Sequence, residues 1–248
     1  MEIQPAIWRR IRIPGNITFQ QLHQIIQAAF GWLDYHLYKF RFDKTIITIP
    51  DDDYAPGELF GEDTVELDSK SITINNYFDT FNSCEYEYDF GDSWLHEIIV
   101  EKRLKDNKKI DTPECIGGAR TRPPEDVGGT NGYEDFIKII KNKKNPERED
   151  MLSWAEKDTR GYIYDPDYFN INEVNRQLYY ALENDIETAE RMLIGKGMTG
   201  TLAWGGTDAC IEVDDKRYSM EQIGNMLLRI GTESIVTIKV NPGNNNKY

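Results

Sequence analysis

YEYDFGDSWLHEIIVEK, residues 86–102, alternates large rings with acids on either side of Gly91-Asp92-Ser93. Tyr86, Tyr88 and Phe90 precede those three residues, and Trp94, His96, Ile98 and Val100 follow them at every second position. Period-two alternation interrupted by turn-forming residues predicts a β-hairpin. A three-residue loop sets Phe90 opposite Trp94, Tyr88 opposite His96 and Tyr86 opposite Ile98, which gathers every ring on one buried face. Glu85, Glu87, Glu97 and Glu101 take the other face. Glu87 and Glu97 then meet across the strands, a like-charge pair that only a solvated face tolerates.

Toward the N-terminus, PAIWRRIRI, residues 5–13, alternates as an early strand does, and Pro14-Gly15-Asn16 ends it. Thr18 opens a helix with capping-box spacing to Gln21; Phe19, Leu22, His23, Ile26, Ala29 and Phe30 share one face, and Gly31 terminates it. Residues 36–42 read as a half-buried strand with His36, Tyr38, Phe40 and Phe42 on one side. Segment 51–68 carries eight acids and no base, and reads as a surface loop.

Toward the C-terminus, residues 102–119 form a polar connection, and PPEDVGG, residues 123–129, is too rich in proline and glycine for helix or central strand. Helices are predicted over 133–142, from Asn145 as cap with Pro146 in the first turn, and from about Asn172. Beyond them lie strands over 201–204, 209–213 and 234–240, a turn at 214–216 and a short helix capped by Ser219. The expected organisation is a main domain with a helical extension over 1–195, and a small module over 196–248 with a disordered tail from 244.

The chain has 248 residues, 29 Lys+Arg against 43 Asp+Glu for a net charge of −14, and 12% aromatics. That is ample for a core, and the aromatics separate it from disordered acidic chains. Global acidity opposes phosphate backbones. Basic residues concentrate in 101–148, twelve against nine acids, but helix surfaces often look like this, so nucleic acid is disfavoured as a partner. Cys84, Cys115 and Cys210 are odd in number and far apart, which fits a reducing cytoplasm better than a disulfide framework or zinc ribbon. The start lacks signal-peptide character and no long apolar run exists, so the expectation is a cytoplasmic protein with no membrane partner.

PAIWRR, AFGWLDYHLYKF, YEYDFGDSWLHEIIVEK and RPPEDVGGTNGY, in that order, closely resemble the motifs of the plasmid pRiA4b ORF-3-like family, over residues 3–175. The resemblance implies an α+β domain around an antiparallel sheet and almost nothing about activity. Members occur on plasmids and as passengers of mobile elements, and some carry a transposon-resolvase label. Serine recombination needs a nucleophilic serine in an arginine-rich pocket; Ser93 beside Asp92 lacks such surroundings, so that chemistry is rejected. Relatives usually place a full strand before the Pro-x-Ile-Trp-Arg-Arg motif, whereas only residues 1–4 precede Pro5, a departure that points to a shortened start. With the hairpin and helices above, the fold class is α+β: an antiparallel sheet with an aromatic face under packed helices, plus a small C-terminal β-β-α-β module.

Histidines and carboxylates on strands and turns have the donor chemistry of a divalent-metal site with an open position for water. The ligand-binding candidates are His36, Asp89, Asp92 and His96, the Glu125-Asp126 pair held between the prolines and glycines of PPEDVGG, and Arg120 and Arg122 as neutralising cations. Gathering the acids raises one carboxyl pKa unless a cation intervenes. Against this, His23 and His96 on apolar faces read first as hydrogen-bonded, partly buried histidines, Gly91-Asp92 as turn chemistry and PPEDVGG as cover for a sheet edge. The acidic segment lacks the D-x-D-x-D-G pattern of calcium loops.

Two functions follow. The first is a non-catalytic binding or interaction protein with a protein or small-molecule partner and no cofactor. The alternative is a metal-dependent hydrolase or nuclease that uses His36, Asp89, Asp92, His96 and Glu125-Asp126, with a divalent metal as cofactor. An enzyme needs side chains from distant segments converging with a perturbed pKa among them; an interaction module needs an exposed apolar or charged patch.

Overall fold

The computed structural model of the chain describes residues 3–50, 60–104, 112–156, 158, 163–182, 201–205, 208–213, 216–220 and 222–224. The chain divides into two compact units, Met1–Asn184 and Asp185–Tyr248. The expected boundary at 195/196, the strand at 234–240 and the tail from 244 lie outside the described residues, as do positions 51–59 of the acidic segment.

The first unit runs β1 (Trp8–Arg12), α1 (Phe19–Phe30), β2 (Tyr38–Phe42), β3 (Thr45–Thr48), β4 (Val65–Asp68), α2 (Asn75–Phe78), β5 (Ser83–Tyr88) and β6 (Trp94–Ile99). It continues through β7 (Glu114–Ala119), α3 (Gly129–Lys141), α4 (Arg148–Ala155) and α5 (Ile171–Tyr180). A five-stranded sheet has the order β4-β3-β2-β5-β6, antiparallel except for the β3–β4 pair. β1 and β7 form a separate antiparallel ribbon. The class is α+β.

Helix α1 begins and ends where its sequence directs. Thr18 Oγ1 accepts from the Gln21 amide at 3.2 Å, Gln21 Oε1 accepts from the Thr18 amide at 2.9 Å, and Gly31 at φ 76 closes the helix onto the Gln27 carbonyl. The buried stripe includes Phe19, Leu22, Ile25, Ile26 and Ala29, and Phe19 meets Phe40 and Phe42 at ring distances of 5.1 and 5.6 Å. Tyr38, Tyr86 and Tyr88 are buried in the same cluster. Each such ring contributes about 1.5–3 kcal/mol of burial free energy.

The hairpin register differs from the expected one by two residues. Tyr88 pairs with Trp94, Tyr86 with His96 and Cys84 with Ile98, so the turn comprises residues 89–93. Asp89 takes φ 59 and its Oδ1 accepts from the amides of Gly91 and Asp92, while the Ser93 amide donates to the Asp89 carbonyl; the strand therefore ends before Phe90. An even shift preserves the parity of the faces, so the rings of Tyr86, Tyr88 and Trp94 remain buried together. Phe90 leaves that face to pack on Phe60 and on the Lys39 ammonium. Glu97 opposes Glu85 instead of Glu87, and Glu87 pairs with Lys39.

Three further elements depart from expectation. Val65–Asp68, read as loop, adds to β3 as a parallel edge strand. Glu114–Ala119, read as polar connection, is β7; its glycines hide the strand pattern, yet a Cβ on Gly118 would lie 2.5 Å from the Phe169 ring. Helix α3 starts at Gly129, inside PPEDVGG, and α4 starts at Arg148, with Asn145 Oδ1 instead accepting from the Glu147 amide at 2.8 Å.

Arg9 ties these parts together. Its guanidinium donates to the carbonyls of Trp8, Ala29, Ala119 and Arg120 and lies between the rings of Phe30 and Phe169, at 4.9 and 4.8 Å. In the second unit, β8 (Thr201–Gly205), β9 (Asp208–Val213) and β10 (Lys216–Ser219) form an antiparallel meander; the third strand, 216–219, is not among the expected ones, and the residues described directly after it, 220 and 222–224, are helical as the Ser219 cap implies. No helix among the described residues is long and apolar enough to cross a membrane.

Candidate metal centre

Three segments meet at the loop end of the sheet: the approach to β2, the β5–β6 turn and the loop before α3. His36 Nε2 lies 3.3 Å from Asp126 Oδ1, 3.5 Å from Asp89 Oδ2 and 4.0 Å from Glu125 Oε2. Ligand atoms of His36, Asp89 and Asp126 all fall within 4.8 Å of one another. Metal–ligand bonds of about 2.0–2.1 Å in a tetrahedron separate neighbouring donors by about 3.3–3.4 Å. One imidazole nitrogen among carboxylate oxygens suits zinc, manganese or ferrous iron.

Backbone geometry aims these groups. Asp89 and Asp126 occupy the left-handed region at φ 59 and 58, which aspartate tolerates better than most residues. Asp89 commits Oδ1 to the turn amides and leaves Oδ2 toward His36. Glu125 is fully buried; its Oε1 accepts from the Leu33 amide at 2.8 Å and the Tyr88 hydroxyl at 3.4 Å. Its Oε2 is buried without a hydrogen bond, as is His36 Nε2. Burial raises the Glu125 carboxyl pKa even though Arg122 and the Leu33 amide favour the anion.

Solvent reaches the cluster from one side, since the Asp126 side chain is 52% exposed and that of Glu125 is 0%. Tyr35 stands there, its hydroxyl donating to Asp126 Oδ2 at 3.2 Å and its phenol held well above the usual pKa by burial and the nearby acids. His36, Asp89 and Asp126 have the donor atoms and spacing that a divalent ion would need, with the exposed side toward solvent.

His36, Asp89, Glu125 and Asp126 are thus brought together; the other candidates are not. Asp92 stands one step back, with Oδ2 accepting from the Gly128 amide at 3.1 Å. His96 lies one residue pair further into the sheet, its ring near Phe30 and Tyr86 and its Nδ1–H donating to the Trp94 carbonyl at 2.9 Å. Burial lowers its pKa to about 4. Arg120 turns to Asp167 and the Pro5 carbonyl. Arg122 stacks on Trp32 and donates to the carbonyls of Gly31 and Pro123, 3.6 Å from Asp158, so it acts on Glu125 only through space.

His23 is a buried hydrogen-bonded histidine. The Asp34 carboxylate can only accept, so Nε2–H donates to it at 2.6 Å, which leaves Nδ1 to accept from the Tyr86 hydroxyl at 2.8 Å while Gln27 Nε2 donates to the same tyrosine oxygen at 3.0 Å. Sequence reasoning missed Tyr35 and Asp158, whose Oδ2 accepts from the Glu125 amide at 2.7 Å. Tyr35 precedes His36 and was legible as a neighbour; Asp158 lies 33 positions from Glu125 and carried no local signal.

The family model described as plasmid pRiA4b ORF-3-like protein matches residues 1–173. The uncharacterized protein y4hQ of Sinorhizobium fredii (strain NBRC 101917 / NGR234) is 29% identical over 174 residues, spanning 70% of this chain and 84% of that protein. The crystal structure of a protein of unknown function, MM3350 from Methanosarcina mazei Go1, superposes with a TM-score of 0.58 at 33% identity, covering 69% of this chain and 90% of that one. A family match over more than half of the chain, with a shared fold at that identity, places it: the chain belongs to the plasmid pRiA4b ORF-3-like family.

Proposed function

We propose that the family domain is a divalent-metal-binding protein whose ion sits among His36, Asp89 and Asp126 with Glu125 behind it, and whose chemistry is metal-assisted hydrolysis. The observation that carries this reading is the buried, hydrogen-bond-free His36 Nε2 lying 3.3–4.0 Å from three carboxylate oxygens. Burying an imidazole nitrogen and a carboxylate oxygen without a hydrogen bond to either costs free energy that a cation among them would offset. Three ligands with a solvent-side position leave room for a water whose pKa the ion lowers. Calorimetric titration of metal-stripped protein with zinc and manganese tests it; one saturable site, abolished in His36→Ala with Asp126→Asn, is expected, and an absence of binding by wild type refutes it.

A non-catalytic interaction role rests on a different observation. Leu95 and Ile99 are each 59% exposed on β6, an edge strand of the five-stranded sheet. Leu95→Lys with Ile99→Lys tests it in pull-downs against wild type: loss of a protein partner captured by wild type supports interaction through this edge, and unchanged capture refutes it.

A further inference from the structure

Asp126 sits in a loop clamped on both sides by carboxylates that do not face His36. On one side the Glu125 amide donates to Asp158 Oδ2 at 2.7 Å; on the other the Gly128 amide donates to Asp92 Oδ2 at 3.1 Å. Between these anchors the backbone passes through φ 58 at Asp126, and at the second anchor and the residue after it through φ 92 and 66, at Gly128 and Gly129. Gly129 comes so close to the hairpin turn that a Cβ there would lie 2.7 Å from the Asp92 carbonyl oxygen. Asp92 therefore touches the loop with both its side chain and its main chain.

The same residue is tied to the other ligand-bearing segment, since its own amide donates to Asp89 Oδ1 at 3.3 Å. Asp89 Oδ2 and Asp126 Oδ1 are the two carboxylate oxygens nearest His36 Nε2, at 3.5 and 3.3 Å. One residue thus contacts both segments that carry the carboxylates nearest His36, although the segments are distant in sequence.

We propose that Asp92 is the positioning residue of this centre, a clasp that holds the 123–129 loop on the hairpin turn, so that metal binding and loop docking are a single equilibrium. The inference rests on the metal reading above and adds to it the element that the ion closes. By linkage, an ion bridging Asp89 and Asp126 tightens the Asp92–Gly128 contact as much as that contact tightens ion binding. Asp92→Ala removes the acceptor; Asp92→Asn retains an oxygen for the Gly128 amide and takes away the charge.

The test is manganese and zinc titration of wild type, Asp92→Ala and Asp92→Asn, with hydrogen exchange followed at the Gly128 amide. Asp92→Ala is expected to weaken metal affinity by roughly tenfold to a hundredfold, the range for groups one step behind the ligands, and Asp92→Asn to recover most of it. Metal is expected to slow Gly128 exchange in wild type and Asp92→Asn, and not in Asp92→Ala. Should Asp92→Ala fail to fold, Gly129→Ala provides the second arm, by pushing the loop from the turn while leaving every ligand intact. Full metal affinity in a folded Asp92→Ala or Gly129→Ala protein overturns the clasp and leaves the metal reading standing. Absence of metal binding by wild type overturns both.

Discussion

Asp89 Oδ2 lies 3.5 Å from His36 Nε2 while the other oxygen of the same carboxylate accepts from the Gly91 and Asp92 amides at 2.9 and 3.3 Å. One side chain thus shapes the turn and faces the centre, and substitution separates the two roles. Asp89→Asn keeps an acceptor for the turn and puts an amide donor toward His36. Its stability is expected to stay within about 1 kcal/mol of wild type, with metal affinity at least about tenfold weaker. Urea melts and calorimetry together check this, and a variant that binds metal as wild type does removes Asp89 from the ligand set.

Glu125 carries the opposite balance. Its carboxyl is fully buried with a raised pKa, so the anion is disfavoured in the metal-free fold. Glu125→Gln keeps the acceptor for the Leu33 amide and removes the desolvated charge. The metal-free variant is expected to be at least as stable as wild type at neutral pH while losing metal affinity, and a metal-free variant less stable than wild type refutes this balance. Thermal melts with and without manganese show whether the two effects have opposite signs.

The parts of this fold legible in the sequence are those where one local rule decides. Thr18 and Gln21 satisfy each other within one turn, and Tyr86, Tyr88 and Trp94 share a face in any register of the right parity. The turn length was not legible, because it depends on Asp89 adopting a positive φ, which a strand-compatible alternation conceals. His36, Asp89, Glu125 and Asp126 were readable as residue types on turns, but their meeting depends on β2 pairing with β5 and on the clamp from Asp158. His96 and Arg120 are near these residues in sequence alone; strand pairing and the contact with Asp167 take them elsewhere.

Arg9 shows the same limit from the stability side, since in sequence it is one of three basic residues in an alternating strand. Its four carbonyl acceptors and two flanking rings require a planar group with several directed donors. Arg9→Lys keeps the charge and leaves carbonyls at Ala29, Ala119 or Arg120 without a donor. A loss of about 2–4 kcal/mol in urea melts is expected, above the cost of an exposed Arg-to-Lys change. A loss below about 0.5 kcal/mol, the scale of ordinary surface substitutions, shows that the guanidinium does not staple α1 to β7.

His96 gives the fold a defined acid sensitivity. Burial lowers its pKa from 6.5 to about 4, so the folded protein holds it neutral where the unfolded chain takes up a proton. Its contribution is fully present above the unfolded value and is lost as pH falls from about 6.5 through about 4, below which both states are protonated. At about 1.4 kcal/mol per pKa unit the total is on the order of 3 kcal/mol. His96→Phe removes the titrating group while keeping a ring between Phe30 and Tyr86. Carboxylates contribute to acid lability in both proteins and cancel in the comparison. Between about pH 7 and about pH 4.5, wild type is expected to lose about 2–3 kcal/mol more than the variant in urea melts. Equal losses would mean that His96 protonates as readily in the folded state as in the unfolded one, and would overturn the lowered pKa that its packing against Phe30, Trp32 and Tyr86 implies.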